Sequence, residues 1–156
     1  AQVDVLWKPT SNGEFNLNIG YTNARNEEFV TPNGEDYSGL QPPYAPDTTV
    51  LAGYQHRFPL GAGALLVRLD GRYESSWFAD YVHNPGVRQK PSTKGDALVM
   101  YESDRDWSVG IWVKNFSNEA VLAATAAAGF PGPATAYLEA PRTYGLRFNV
   151  NYGSSP

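Results

Sequence analysis

The sequence predicts an all-β fold, an antiparallel transmembrane β-barrel segment of about seven strands. Three observations predict it: period-two alternation over most of the chain, strict alternation of tight and long connections, and aromatic residues gathered at the tight-turn ends of the strands. The composition agrees. Hydrophobic residues make up 42% of the 156, charged residues only 18% and aromatics 13%, and aromatic and β-branched side chains suit a pleated surface.

The alternation is read strand by strand. Gln2 to Pro9 is a short, irregular run. From Phe15 to Thr22, Phe15, Leu17, Ile19 and Tyr21 oppose Asn16, Asn18, Gly20 and Thr22. Val50, Ala52, Tyr54 and Phe58 oppose Leu51, Gly53, Gln55 and Arg57. Leu65, Val67, Leu69 and Tyr73 oppose Leu66, Arg68, Asp70 and Arg72. Asp96 to Glu102 is again less regular. Trp107, Val109, Ile111 and Val113 oppose Ser108, Gly110, Trp112 and Lys114. The last run is the cleanest, with Tyr144, Leu146, Phe148, Val150 and Tyr152 against Gly145, Arg147, Asn149 and Asn151. Residues 1–152 form these strands and their loops, and Gly153 to Pro156 is a short tail.

Three connections are tight: Thr10 to Glu14, Leu60 to Gly63 and Ser103 to Asp106. Three are long: Asn26 to Asp47, Val82 to Lys94 and Ser117 to Pro141. Transmembrane barrels have short periplasmic turns and long extracellular loops. If the tight turns are periplasmic, Trp7, Phe15, Phe58, Tyr101, Trp107 and Tyr152 share one level, as a lipid-interface girdle requires. A soluble sandwich would use the same residues as core aromatics, and alternation by itself does not separate the two arrangements. Loop segregation and the girdle favour the membrane. Seven strands alone would leave two unpaired edges in lipid, where nothing satisfies backbone groups, so further strands are expected.

Several function classes are excluded or unsupported. Cysteine is absent, which removes disulfides and thiolate metal sites. A net charge of −4 without clustered Lys and Arg argues against a nucleic-acid partner. No apolar run approaches the length of a transmembrane helix, about 18 residues. The Ala-rich stretch Val121 to Phe130 reads as a loop with one helical turn. A leader peptide would have been removed or lie upstream of Ala1. His56 falls on the lipid-side set and His83 in a loop, which is no metal-ligand spacing. No nucleophile elbow, phosphate-cradling loop or His-Glu helix motif occurs. The acidic pairs Glu35 with Asp36 and Asp104 with Asp106 read as solvated turn residues. No catalytic residue, metal or cofactor is expected, and the chain is read as a non-enzyme.

The stretch DWSVGIWVKNFSNEAV (Asp106 to Val121) and the closing APRTYGLRFNVNY (Ala140 to Tyr152) resemble the last strands of TonB-dependent outer-membrane receptors. Asn115, Phe116, Ser117 and Asn118 stand where that family has Asn-Leu-Thr/Ser-Asp before a long loop. WKPTSNGEFNLNIGYTNAR is similar to the family's Trp-x-Pro turn strand, and AGYQHRFPLGAGALLVRLDGRYESSWFADYVHN to its next hairpin. Two departures stand out. Tyr152 is followed by Gly-Ser-Ser-Pro, although family members end on an aromatic residue, and no plug or earlier strands are present. Roughly two-thirds of a barrel of about 22 strands would lie elsewhere.

The resemblance implies a bacterial outer-membrane transporter for a scarce nutrient of the siderophore, cobalamin or glycan class. Its partners would be outer-membrane lipid, the remaining strands and plug in the same or a separate chain, and a TonB-type energy-coupling protein. Trp77, Phe78, Tyr81, His83, Tyr37 and Tyr44 are the candidate ligand contacts on outer loops, since aromatics at a mouth stack on flat ligands. Such aromatics equally suit an outer girdle, and that is the preferred reading for Trp77 and Phe78. Arg68, Asp70, Arg72, Glu74, Lys114 and Arg147 would face a plug. A soluble barrel binding a small hydrophobic ligand, and a structural subunit completed by another chain, are the alternatives.

Overall fold

The alternating runs pair in the order in which they occur. The computed structural model describes residues 1–126 and 135–151. Its strands are β1 (Gln2–Thr10), β2 (Gly13–Tyr21), β3 (Thr48–Pro59), β4 (Gly63–Glu74), β5 (Trp77–Phe78), β6 (Arg88–Gln89), β7 (Ser92–Ser103), β8 (Trp107–Lys114), β9 (Leu122–Ala126), β10 (Thr135–Leu138) and β11 (Thr143–Val150). Seven of them form one antiparallel sheet in the order β1-β2-β3-β4-β7-β8-β11. β5 pairs with β6 and β9 with β10, both within the long connections. The main sheet is open, with β1 and β11 at its edges and both running toward the tight-turn end.

Register sorts the side chains into two faces. Trp7, Phe15 and Tyr54 are successive partners, as are Val5, Leu17 and Ala52. Farther along, Tyr54 faces Leu69, Leu69 faces Ala97, Ala97 faces Val113 and Val113 faces Tyr144. Every apolar set therefore lands on one side of the sheet, because a one-residue slip anywhere would have exchanged the faces. Glu14, Gln55, Arg68 and Leu98 run across the other side. That side is not uniformly polar: Leu66 faces Met100, and Leu98 faces Trp112.

The strands are staggered. The β1–β2 turn closes beside His56 (Gly13↔His56), whereas β3 and β4 stay paired to Pro59↔Ala64, three residues farther. At the opposite end β3 and β4 reach Thr49↔Glu74, but β8 stops at Lys114, just past the row in which Ala97 faces Val113. Such progressive offset is what strands tilted against a barrel axis require.

The sheet carries little core. Among the described residues the buried apolar ones are Ala64, Trp77, Ala79, Val87 and Val121, and all but Ala64 lie in the long connections. On the sheet Trp7 is 60%, Ile111 57% and Leu146 82% exposed. Two sequence readings change. β4 ends at Glu74 and β7 begins at Ser92, opposite it, so the second long connection starts before Trp77 rather than at Val82. Leu122–Ala126, expected to be loop with a helical turn, is instead a strand, because Thr135–Leu138 supplies its partner. The rest of that stretch lies outside the described residues.

Candidate functional site

The polar face is built from β4 and β7. Arg68 donates from Nε to Asp70 Oδ2 at 2.7 Å and from a terminal nitrogen to Oδ1 at 2.8 Å, with Gln55 Oε1 at 3.2 Å. Arg72 pairs with Glu74. Each β4 charge is thus matched two residues along its own strand. Across the ladder the signs repeat: Asp70 faces Asp96, and Arg72 faces Lys94. Like charges directly opposite one another are unfavourable, so Asp96 and Lys94 take partners elsewhere. Asp96 Oδ1 accepts the Asn115 backbone amide at 2.8 Å, and Lys94 pairs with Glu139. These groups, with Lys114, line a groove of about 460 Å³ on the polar face. Lys114 and Arg147, on β8 and β11, share this face, and neither has an ion-pair partner among the described residues. Near the tight turns Arg57 reaches Glu102 at 2.6 Å. At Gly53 a Cβ would sit 2.5 Å from Asn16 Oδ1 and 2.7 Å from Asp70 Oδ1, so a larger residue there would push these two side chains aside.

The long connections all leave the end of the sheet opposite the tight turns, and their described residues (22–47, 75–91, 115–126 and 135–142) pack on one another. Trp77, at 4% exposure, is their core, with Ala79, Val87 and Leu122 around it. Tyr44 lies against Trp77 at 4.9 Å, donates its amide to the Phe78 carbonyl at 2.9 Å and accepts the Thr125 amide on its hydroxyl at 3.1 Å. Tyr44 thereby ties all three connections together. Gln89, 6% exposed, adds a tie by accepting the Leu122 amide at 2.8 Å. Phe78 and His83 stack at 4.1 Å with planes 5° apart, and His83 Nε2 lies 2.9 Å from the Gln41 carbonyl. Tyr37, Tyr81 and Phe29 form a triad with centroids 5.4 to 5.8 Å apart, and Tyr81 remains 47% exposed.

The first connection carries Glu27, Glu28, Glu35, Asp36 and Asp47 against a single cation, Arg25. Arg25 holds Asp47 bidentately at 2.9 and 3.1 Å, which lowers the Asp47 carboxyl below its ordinary value. The Ser38 hydroxyl and amide lower Asp36. Tyr37 donates to Glu35 at 2.9 Å, which raises the phenol. The field over this loop is negative and repels anions.

The sequence-predicted residues therefore separate. Arg68, Asp70, Arg72, Glu74, Lys114 and Arg147 share the polar face. Of the six outer aromatics, Trp77 is buried packing rather than an exposed girdle residue and Tyr44 is a tie, whereas Phe78, His83 and Tyr37 are half-buried and Tyr81 is exposed. Trp7, Phe15, Phe58, Tyr101 and Trp107 all belong to the apolar face; Tyr152 lies outside the described residues. Trp7 and Phe15 share one register row and Phe58 and Tyr101 share another, four residues farther along β3, so a common level needs the strand tilt. Sequence reasoning passed over Lys94, Asp96, Glu139 and Phe29. Only the like-charge rows could have pointed to the first two, and rows require register.

No family model matches the sequence, and none of the curated proteins does. Among solved structures, the chain is similar to the ferric yersiniabactin uptake receptor FyuA from Yersinia pestis, with a TM-score of 0.80, 16% identity, and coverage of 97% of this chain and 23% of that one. The siderophore receptor PiuA from Acinetobacter baumannii gives 0.74, 15%, 96% and 21%. BauA, the ferric preacinetobactin receptor of the same organism, gives 0.69, 16%, 93% and 20%. The chain spans less than a quarter of each of these receptors. It has the fold of a part of these receptors.

Proposed function

We propose that this chain is a wall segment of a TonB-dependent transporter in a bacterial outer membrane, serving uptake of a scarce nutrient of the siderophore class. The observation that carries this reading is the register, which turns large exposed apolar side chains to one face and all long connections to one end. In water such a face is an aggregation surface; against acyl chains it is the favourable one. The apolar face meets lipid, with Trp7, Phe15, Phe58, Tyr101 and Trp107 at the periplasmic interface. Arg68, Asp70, Arg72, Glu74, Lys114 and Arg147 face a plug. Phe78, Tyr81, His83 and Tyr37 meet the ligand, with Trp77 and Tyr44 holding the loops in place. The resemblance to receptor barrels supports siderophores ahead of cobalamin or glycans.

The open edges support completion by further strands. β1 and β11 run in the same direction, so pairing them, within one copy or between two, would be parallel. An all-antiparallel wall closes only if an odd number of other strands stands between them. Mass analysis of the detergent-extracted native assembly tests the reading. One longer chain, or co-purifying chains carrying the missing strands, supports it. A monodisperse monomer in water without detergent overturns it, and the soluble hydrophobic-ligand protein would take its place.

A further inference from the structure

We infer that Lys94 and Asp96 are positioning residues that couple occupancy of the polar wall to the placement of two outer-loop stems, residues 115–126 and 135–142. The inference rests on reading the polar face as a lumen wall, because only there would a partner's charges reach them. Their role follows from which groups are already taken. Arg68 and Asp70 satisfy each other, as do Arg72 and Glu74. Lys94 faces Arg72 and Asp96 faces Asp70, so β7 finds its counter-groups in the loop.

Those counter-groups sit at the two stems. Asp96 holds the amide of Asn115. Asn115 is 2% exposed and left-handed at φ 50°, and its side chain grips both stems. Its Nδ2 donates to the carbonyls of Glu119 at 3.0 Å and Ala140 at 3.2 Å, and its Oδ1 accepts the Glu119 amide at 3.0 Å. Lys94 holds the returning stem through Glu139, whose amide donates to the Val121 carbonyl at 2.8 Å. The two loop anchors are therefore two of the charges that line the groove. A basic or acidic side chain brought against the wall competes for them, and the loop stems respond. A single exposed pair contributes little, but a charge-assisted bond to a buried amide contributes more.

Amide exchange at Glu119 and Glu139 in the full chain tests this. Lys94→Gln speeds Glu139 exchange about two- to fivefold, the size of a partly exposed pair, and the swap Lys94→Glu with Glu139→Lys restores it. Asp96→Ala speeds Glu119 exchange about tenfold through loss of the acceptor, and Asp96→Asn, which keeps one, does so less. The decisive variant is Arg72→Gln. Among the described residues Arg72 hydrogen-bonds only to Glu74; removing it frees that carboxylate to compete for Lys94. Exchange at Glu139 then rises, and Arg72→Gln with Glu74→Gln returns it to the parent rate. No effect of Arg72→Gln, or a double variant as loose as the single, overturns the coupling. Arg57→Gln, on the same face at the other end, leaves both amides unchanged; a change there would show general loosening and also overturn it. Recovery of the chain without detergent would count against the membrane reading and leave these comparisons intact.

Discussion

The sheet leaves nearly all its large apolar side chains at the surface, whereas the loop cap gathers a small cluster of its own inward. On the sheet, Leu69, Ile111, Leu146 and Phe148 stand 51% to 82% exposed. In the cap, Trp77, Ala79 and Val87 are buried to 7% or less. Both regions come from one chain, so composition does not explain the contrast; the surroundings do. A cap facing water must gather its apolar groups inward. A sheet whose backbone groups are satisfied by its ladder can turn them toward acyl chains. On the proposed membrane reading, the difference teaches that exposure on the sheet is a statement about solvent rather than a defect of packing.

The contrast can be broken at several points. Trp77→Ala removes the core of the cap and costs it about 3–5 kcal/mol, as for other buried aromatics. Exchange at the Tyr44 and Leu122 amides then rises sharply, while the β4–β7 ladder stays protected; loosening of the ladder would mean that cap and sheet are one unit. Ile111→Lys places a charge on the apolar face and costs about 2–4 kcal/mol in bilayers if that face meets lipid. Thr49→Lys, on the polar face opposite Glu74, stays within about 0.5 kcal/mol. Equal effects in an unfolding titration in vesicles would remove the distinction between the faces.

Asn115→Ala leaves the Glu119 amide and the Ala140 carbonyl without partners and costs about 1–3 kcal/mol, read as faster exchange confined to the 115–142 stems. The smallest effect concerns Arg25 and Asp47. Because Asp47 is lowered by its hydrogen bonds from Arg25, its contribution is present above the ordinary carboxylate value, about 3.9. It disappears as pH falls through the lower folded value. The 22–47 loop should therefore loosen only below about pH 4, and Asp47→Asn should abolish that step. A loop that loosens near neutrality would break the assignment.

Much of the sheet was legible. Period-two runs from Phe15, Val50, Leu65, Trp107 and Tyr144 each became a strand with the expected faces, because side-chain alternation is a property of the single strand. Polar-face membership of Arg68, Asp70, Arg72 and Glu74 followed for the same reason. The cap was not legible. Trp77 and Phe78 read alike as mouth aromatics, yet one is the core of the cap and the other stacks on His83. Leu122–Ala126 has little strand character until Thr135–Leu138 lies beside it.

The sequence by itself determined what repeats locally: strand positions, the two faces, the segregation of tight and long connections. Tertiary structure alone decided which groups meet across them. Asp96 against Asp70, Lys94 drawn to Glu139 and Tyr44 between Trp77 and Thr125 join residues 26 to 81 positions apart. No local pattern encodes such meetings, since register and loop packing settle them only when the whole sheet is assembled.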